Sequence, residues 1–577
     1  MYYISVTQKR WQVAEPIAPE VKVEFPELDL VLLQLLWNRG LKTQAAIDEF
    51  LNPDWSQDVH DPYLFRDMRK AVERVYEAIG AKQPIVVFGD YDADGVCAAV
   101  LLTTTLKELG AVVEVYLPHR EREGYGLNSE AVQYLAGRNT KLMITCDCGI
   151  ASVEPVAEAN KLGMDVIITD HHRAQDSLPA AYAILHCGLE GETYPFKFLS
   201  GGGVAFKLVQ GLLHYEGCPL TPEKREAWEK WLLDLVAIST VADMVRLQGE
   251  SRTLTKYGLV VLRKTKRLGL RKLVEVANLK PASIDTYTIS WQIAPRINAA
   301  GRMDHANAAY ALLVSESASE AEELARALNL TNTERQKVTD DMVAGGRLQI
   351  GELKPEQYLV TAFDPTWSLG LVGLVAGKLV QEYHRPALVM CQQGERVAGS
   401  GRSGIGNFDL AAALDECKEY LISYGGHREA AGFALPKERL EDFITAFQRI
   451  VERELKGVDL APVAVVDMAM PLSRADWGLY EQVIKLEPVG QQNSPARFVS
   501  YGVTVASLTP VGSQGQHLKL VLEGDGLAKK FIWFRQGEAG AKLAIGESVD
   551  VVYEVGVNEW NGNRELELKV IDLRRHE

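Results

Sequence analysis

The stretch FGDYDADGV, residues 88–96, places Asp90, Asp92 and Asp94 at every second position before Gly95. In an extended segment such positions project to one side, so three carboxylates crowd together. Like charges that close repel unless a proton or a cation intervenes. A turn leading into a helix N-cap explains one Asp there, but three in register point to a divalent cation. Further donors recur downstream: Asp147 in ITCDCG, Asp170, His171 and His172 in IITDHH, and Asp243 closing LVAISTVADM. Singly, each reads as a helix cap, a core histidine or a helix-terminal polar group. Jointly, at the ends of successive apolar runs, they read as a metal centre. Carboxylates mixed with imidazole suit Mn2+ or Mg2+ rather than structural zinc. Several acids with one His can hold two ions ~3.5–4 Å apart, which activate water and stabilise charge on a phosphoryl group. The residues therefore describe a metal-dependent phosphoester hydrolase.

The elements that position these residues are legible around them. IVVFGD (85–90), VVEVYL (112–117), KLMITC (141–146) and MDVIIT (164–169) are short β-rich runs separated by helical patterns. Alternation of this kind predicts βαβ units and a parallel sheet, whose active crevice lies beyond the carboxyl ends of the strands. The acids stand at those ends. Residues 203–330 read as mainly helical, and 316–350, rich in Glu, Ala, Leu and Arg, as a long connecting helix. A second α/β segment follows from about 355 to 457, with QYLVTAF, PALVMC and RVAGSGRS as strands. From about 460, FVSYGVTVASL, HLKLVLEG, KKFIWF, SVDVVYEVG and ELELKVIDL suit a small barrel such as an OB-fold. Residues 1–60 read as a helical preface. AGKL at 376–379 lacks the remaining signals of a Walker loop, so a P-loop is excluded.

Composition sets outer bounds. A chain of 577 residues, 47% hydrophobic, supports several domains with cores of their own. No apolar stretch reaches the ~20 residues of a membrane span, and MYYISVTQKRW lacks the plan of a signal peptide. Seven cysteines without a CxxC pair, Cys146 and Cys148 among them, suit a reducing cytoplasm. The net charge of −15 argues against non-specific nucleic-acid binding. Locally, residues 251–272 carry eight Lys or Arg and no acid, which reads as a solvated helix face or as a phosphate-facing patch.

DYDADG, the Asp of ITCDCG, the DHH triplet and the Asp of STVADM together resemble the four motifs of the DHH phosphoesterase superfamily. APRINAAGRM (294–303), SGRS (400–403), GGHREAAG (425–432) and LEPVGQQNSP (486–495) resemble those of its RecJ branch, the single-stranded-DNA exonucleases. The resemblance implies a multidomain α/β chain. It would comprise an N-terminal helical segment (1–60), a DHH parallel-sheet domain (61–315), a connecting helix (316–352), a DHH-associated α/β domain (353–457) and an OB-like barrel (458–577). It implies ligation of two Mn2+ or Mg2+ ions by Asp92, Asp94, Asp147, His171 and Asp243, with Asp90 supporting or joining the set. His172 would contact the scissile phosphate, and Asp90, Asp147, His172 and Arg296 would form the catalytic group. Arg296, Asn298 and Arg302 would face the strand near the metals. Ser400 and Arg402, with Arg120 of PHREREGYG, would hold the 5′ end or backbone phosphates, and the turn at His427 would offer backbone N–H groups. Barrel aromatics Phe531, Trp533, Phe534 and Trp560 are candidates for base stacking or for core.

The implied activity is a processive 5′→3′ exonuclease acting on single-stranded DNA in repair and recombination, in the cytoplasm and away from membranes. A single-strand-binding protein and a helicase are the expected protein partners. Hydrolysis of short oligonucleotides or cyclic dinucleotides is the alternative; the extra barrel argues against it. A non-catalytic scaffold would have lost acids, and this chain keeps them. ESR at 250–252, SGGG at 200–203 and the Val and second Gln of LEPVGQQN depart from the usual pattern without touching a proposed ligand.

Overall fold

The apolar runs that precede the acids are strands. In the computed structural model, which describes residues 9–577 except Glu121, Gly406, Asn407 and Asn561, Ile85–Gly89 and Leu142–Cys146 are buried along their whole length. Strands covered on both faces need such unbroken Val/Ile/Leu runs. The sheet runs in the order Val113–Tyr116, Ile85–Gly89, Leu142–Cys146, Asp165–Thr169, Ala183–Leu185, and every neighbouring pair is parallel. From Ile85–Gly89 the chain steps to one edge, then crosses back to the other side. The point of reversal therefore lies between Ile85–Gly89 and Leu142–Cys146, where open α/β sheets bind ligands. Ala183–Leu185, three residues long, was not foreseen from the sequence.

Helices Ala93–Glu108, Gly201–His214 and Leu233–Ala242 pack together beside this sheet, and nearly every residue of the three is buried. The 33-residue helix Ala318–Ile350 then carries the chain onward, capped by Ser317 and stopped at Gly351, φ +65°. Its first half lies on helices Leu268–Val276 and Ala294–Met303, its second half on Leu369–Tyr383. A second, mixed sheet follows in the order Ser423–Gly426, Ala430–Pro436, Arg396–Arg402, Ala387–Gln393, Val360–Phe363. GGHREAAG is thus the end of a β-hairpin, with His427 in its turn. All of this belongs to one compact unit, Val59–Val245 with Glu250–Leu460.

The other unit comprises Met1–Asp58, Arg246–Gly249 and Ala461–Glu577. Strands Arg497–Val511, His517–Gly524, Leu527–Trp533, Asn563–Arg575 and Ser548–Trp560 pair in that order, and the last returns to the first, closing a five-stranded OB barrel. The helical preface does not stand alone. Helix Leu30–Asn38 buries Leu32, Leu33, Leu35 and Leu36 in the same core as Phe498, Leu520 and Trp533. The preface is also not all helix, since Arg10–Val13 pairs in parallel with Val463–Val466. Phe531 and Trp533 are core residues and unavailable for stacking; Phe534 is exposed against His517. The side chain of Trp560 lies outside the described residues.

The basic stretch 251–272 is mostly spent internally. Arg252 is buried, Arg263 bonds the Ile284 carbonyl, Lys266 lies over Trp231, Arg267 pairs with Asp234, and Lys272 with Glu275 and Glu322. The reading as a phosphate-facing patch is withdrawn. Among the described residues, no helix is long and apolar enough to cross a membrane.

Candidate active site

Strand register assembles the site. Gly89 pairs with Cys146 and Cys146 with Thr169, so Asp90, Asp147 and Asp170 leave the sheet side by side. Asp92 caps helix Ala93–Glu108, its Oδ1 accepting from the N–H groups of Asp94 (2.9 Å) and Gly95 (3.0 Å). Gly95 must lack a side chain, because a Cβ there would lie 2.6 Å from the Asp90 backbone. Three groups have ligand atoms within 4.8 Å of one another: Asp90–Asp92–Asp147, Asp147–His171–His172 and Asp94–His171–Asp243. His171 Nε2 lies 3.1 Å from Asp147 Oδ1, 3.5 Å from Asp243 Oδ2 and 3.8 Å from Asp94 Oδ2. Asp147 and His171 each belong to two groups, and a φ of +60° holds Asp147 in the left-handed region.

The donor set fits divalent cations. Asp90 Oδ1, Asp147 Oδ1 and His171 Nε2 are buried with no hydrogen-bond partner, a costly state for polar atoms unless a further group satisfies them. Burial first, then Asp94, Asp92, Asp243 and Asp90, hold the Asp147 carboxyl well above the usual range. Asp90 is raised by burial and Asp92; Asp243 is pushed up to about 8 by burial, Asp94 and Asp92. Burial lowers His171, favouring the neutral ring that ligates metals.

The sequence reading named Asp170 as a donor or helix cap but not its supporting role, and it missed Tyr125 and Ser239. Asp170 accepts through Oδ1 from the N–H of His171 (2.7 Å) and of His172 (3.1 Å) and from His172 Nδ1 (2.8 Å), and through Oδ2 from Ile150 (2.9 Å). Burial opposes both shifts, yet this pair holds Asp170 down at about 2 and His172 up at about 9. Tyr125 reaches His172 Nδ1 at 3.0 Å and the Asp147 carbonyl at 3.2 Å. Asp94 accepts from Gly201 (2.8 Å) and Gly202 (2.7 Å) N–H groups and from the Ser239 hydroxyl. SGGG is the N-cap and first turn of helix Gly201–His214, and a Cβ on Gly201 would fall 2.3 Å from Asp147 Oδ1. Signals existed: Asp170 opens the DHH triplet, Tyr125 follows Arg120 by five, and Ser239 precedes Asp243 by one helical turn.

Across from the acids stand arginines. Arg302 donates to the Gly370 carbonyl at 3.2 Å, and burial and Arg120 hold its guanidinium below the ordinary value while nearby Asp92 raises it. Arg402 donates to Ser400 Oγ at 2.7 Å; burial, then Arg120, lowers it too. Arg120 lies over the Tyr91 ring. None of the three has an ion-pair partner among the described residues. Arg296 bonds Asn329 Oδ1 and the Gln292 carbonyl. Asn298 spends its carbonyl oxygen on the Ala93 N–H at 2.7 Å, so that half of its amide fixes the acid-bearing turn instead of the strand. The His427 side chain is exposed, but its N–H donates to the Ala430 carbonyl at 2.8 Å and is not free for phosphate. Partial desolvation, then the positive charges of His172 and Arg173, lowers the His427 imidazole.

This sheet with its acids at the reversal point defines a DHH protein. Residues 84–240 match the DHH family N-terminal domain, 356–453 the DHHA1 domain and 466–572 the RecJ OB domain. The single-stranded-DNA-specific exonuclease RecJ of Bacillus subtilis (strain 168) is 35% identical over 570 residues, covering 98% of this chain and 71% of that one. That of Escherichia coli (strain K12) is 31% identical, covering 95% and 96%. The chain belongs to the RecJ family. Crystal structures of RecJ from Thermus thermophilus in complex with Mn2+ and with Mg2+ superpose with TM-scores of 0.83 and 0.78, at 28% and 27% identity. Both cover 98% of this chain, and 80% and 79% of those chains.

Proposed function

We propose that this chain is a metal-dependent exonuclease that hydrolyses phosphodiester bonds of single-stranded DNA in the 5′→3′ direction, in DNA repair and recombination. One observation carries the reading: buried, orphaned acid and imidazole atoms face arginines that have no carboxylate partners of their own. Asp92, Asp94, Asp147, His171 and Asp243, supported by Asp90, are the residues that would hold Mn2+ or Mg2+. Such a pair of ions supplies activation of water and stabilisation of phosphoryl charge.

The chain's own groups do the rest. Asp170 keeps His172 cationic, with its Nε2 turned to the scissile phosphate. Arg302 and Arg296 position the strand beside the acids. Ser400, Arg402 and Arg120 receive the 5′-terminal phosphate, since a guanidinium fork matches phosphate geometry. A pocket that takes a terminal phosphate fixes the polarity, because the rest of the strand can extend only the other way. The exposed Phe534 of the barrel would offer a ring for base stacking. A helicase that frees single strands, and a single-strand-binding protein that covers them, would supply the substrate. Seven free, buried cysteines support a cytoplasmic setting.

The test is cleavage of 5′- and 3′-labelled single strands and blunt duplex with Mn2+. Mononucleotides should appear from the 5′ end of single strands, and Asp147→Ala should abolish the reaction with its fold intact. Equal digestion of duplex, release from the 3′ end, or an active Asp147→Ala protein defeats the reading.

A further inference from the structure

We infer that the Ala318–Ile350 helix carries a second phosphate-binding station. In it Arg335, tethered by Asn332, and Arg296, tethered by Asn329, grip the internal phosphodiester next beyond the scissile bond. The inference rests on the single-stranded-DNA reading above. Asn329, Asn332 and Arg335 follow one another at three-residue intervals, so they share one helix face. Asn329 Oδ1 accepts from Arg296 Nε at 3.0 Å, and Asn332 Oδ1 from Arg335 Nη2 at 3.0 Å. Asn332 is only 2% exposed.

The choice of amide matters. A carboxylate at either place would hold its arginine and cancel the charge; a neutral amide fixes the rotamer, uses one of five donors and cancels none of the charge, while the carboxylate that acts on Arg335, Asp340, is itself paired with Lys378. Arg335 Nε is buried with no partner. Neither Arg335 nor Arg296 makes an ion pair among the described residues. The guanidiniums also repel one another: besides burial, Arg335 lowers Arg296, and it lowers Arg302 as well. Buried donors left open beside like charges destabilise the free protein, and an arriving anion relieves both.

Arg296 and Arg302 stand on one helix, Ala294–Met303, which packs on Ala318–Ile350, and Asn298 of the same helix bonds the acid-bearing turn at Ala93. After burial, Arg120 and Arg335 both lower the Arg302 guanidinium and Asp92 raises it. With the terminal phosphate in the pocket and the scissile one on the acids, the following phosphate falls to Arg335 and Arg296.

A 5′-phosphorylated dinucleotide lacks this phosphate, whereas a trinucleotide has it. In the full-length protein, Arg335→Ala should raise KM for the trinucleotide and longer strands roughly ten-fold, the worth of one charge-assisted contact. kcat and dinucleotide cleavage should stay as they are. A neutral methylphosphonate at the second linkage should slow the wild-type protein and leave Arg335→Ala indifferent. Asn332→Asp, which gives Arg335 a carboxylate partner without shortening it, should reproduce the KM effect. Arg335→Lys should recover part of it. Unchanged trinucleotide KM in both Arg335→Ala and Asn332→Asp overturns the station, as does an equal loss on the dinucleotide. A wild-type chain inactive on every single strand would instead bring down the substrate reading and the station with it.

Discussion

Asp170 shows how one carboxylate can set a reaction's pH range without touching substrate. It holds His172 protonated up to about 9, although burial alone would lower the ring. If the cation is the working form, activity fails as pH rises through that value. Asp170→Asn removes the anionic acceptor, so at saturating Mn2+ the alkaline limb should move down to the ordinary histidine range or below. Near pH 8 kcat should drop roughly 10²-fold, the scale of general acid–base assistance, with recovery near pH 6. A pH profile with its limb unmoved would exclude this role. Asp90, Asp92, Asp147 and Asp243 shift in the same direction as His172. Their pKa values in the folded, metal-free chain lie above the unfolded values, chiefly through burial, so the stability they confer is full at low pH. It is lost as pH rises toward about 8, where Asp243 gives up its proton. Mn2+ binds the deprotonated set, so its elevation of Tm should be small at pH 6 and large at pH 8.5. Equal elevations in thermal melts at both pH values would contradict the cluster as the binding site.

Elements place these residues because three strand ends and two helix starts converge. Helix Gly201–His214 aims its first N–H groups at Asp94 while its first residue passes against Asp147. Gly201→Ala should displace the Asp147 carboxylate and weaken Mn2+ affinity by about 10–100-fold, the usual effect of disturbing a ligand's support. Calorimetric titration measures it, and wild-type affinity would show that the close approach is dispensable. The strands bearing the acids were legible in the sequence because each is a short β-branched run ending in a charge. The ligand candidates were legible because acids at successive strand ends have few bland explanations. Tyr125 and Ser239 were not, nor was the supporting role of Asp170, because a residue that acts through a neighbour shows its role only once the chain is folded. Edge strand Ser423–Gly426 was missed for a simpler reason: two of its four residues are glycine and all four are exposed, so no apolar alternation marks it. The basic stretch 251–272 misled because its partners, Asp234, Glu322 and the Ile284 carbonyl, lie elsewhere in the chain.

At the scale of the molecule, the barrel cannot be removed at its apparent boundary. Deleting 461–577 alone uncovers Leu32, Leu33, Leu35 and Leu36, each worth ~1.5–3 kcal/mol of burial. That truncation should aggregate. Deleting 1–58 as well should give a chain that stays free of aggregate on size exclusion and still cleaves 5′-phosphorylated dinucleotides. Its binding to long strands should weaken and show a shallower salt dependence. Wild-type affinity and processivity on long strands would deny the barrel a part in holding DNA. The same interleaving has a consequence during synthesis. The leucine face of Leu30–Asn38 leaves the ribosome well before its cover, since the strands that bury it are encoded after residue 460. At ~5–20 residues per second, that face waits some tens of seconds in the open. These helices are thus made long before they can be buried, and the nascent chain offers a chaperone a defined, transient target.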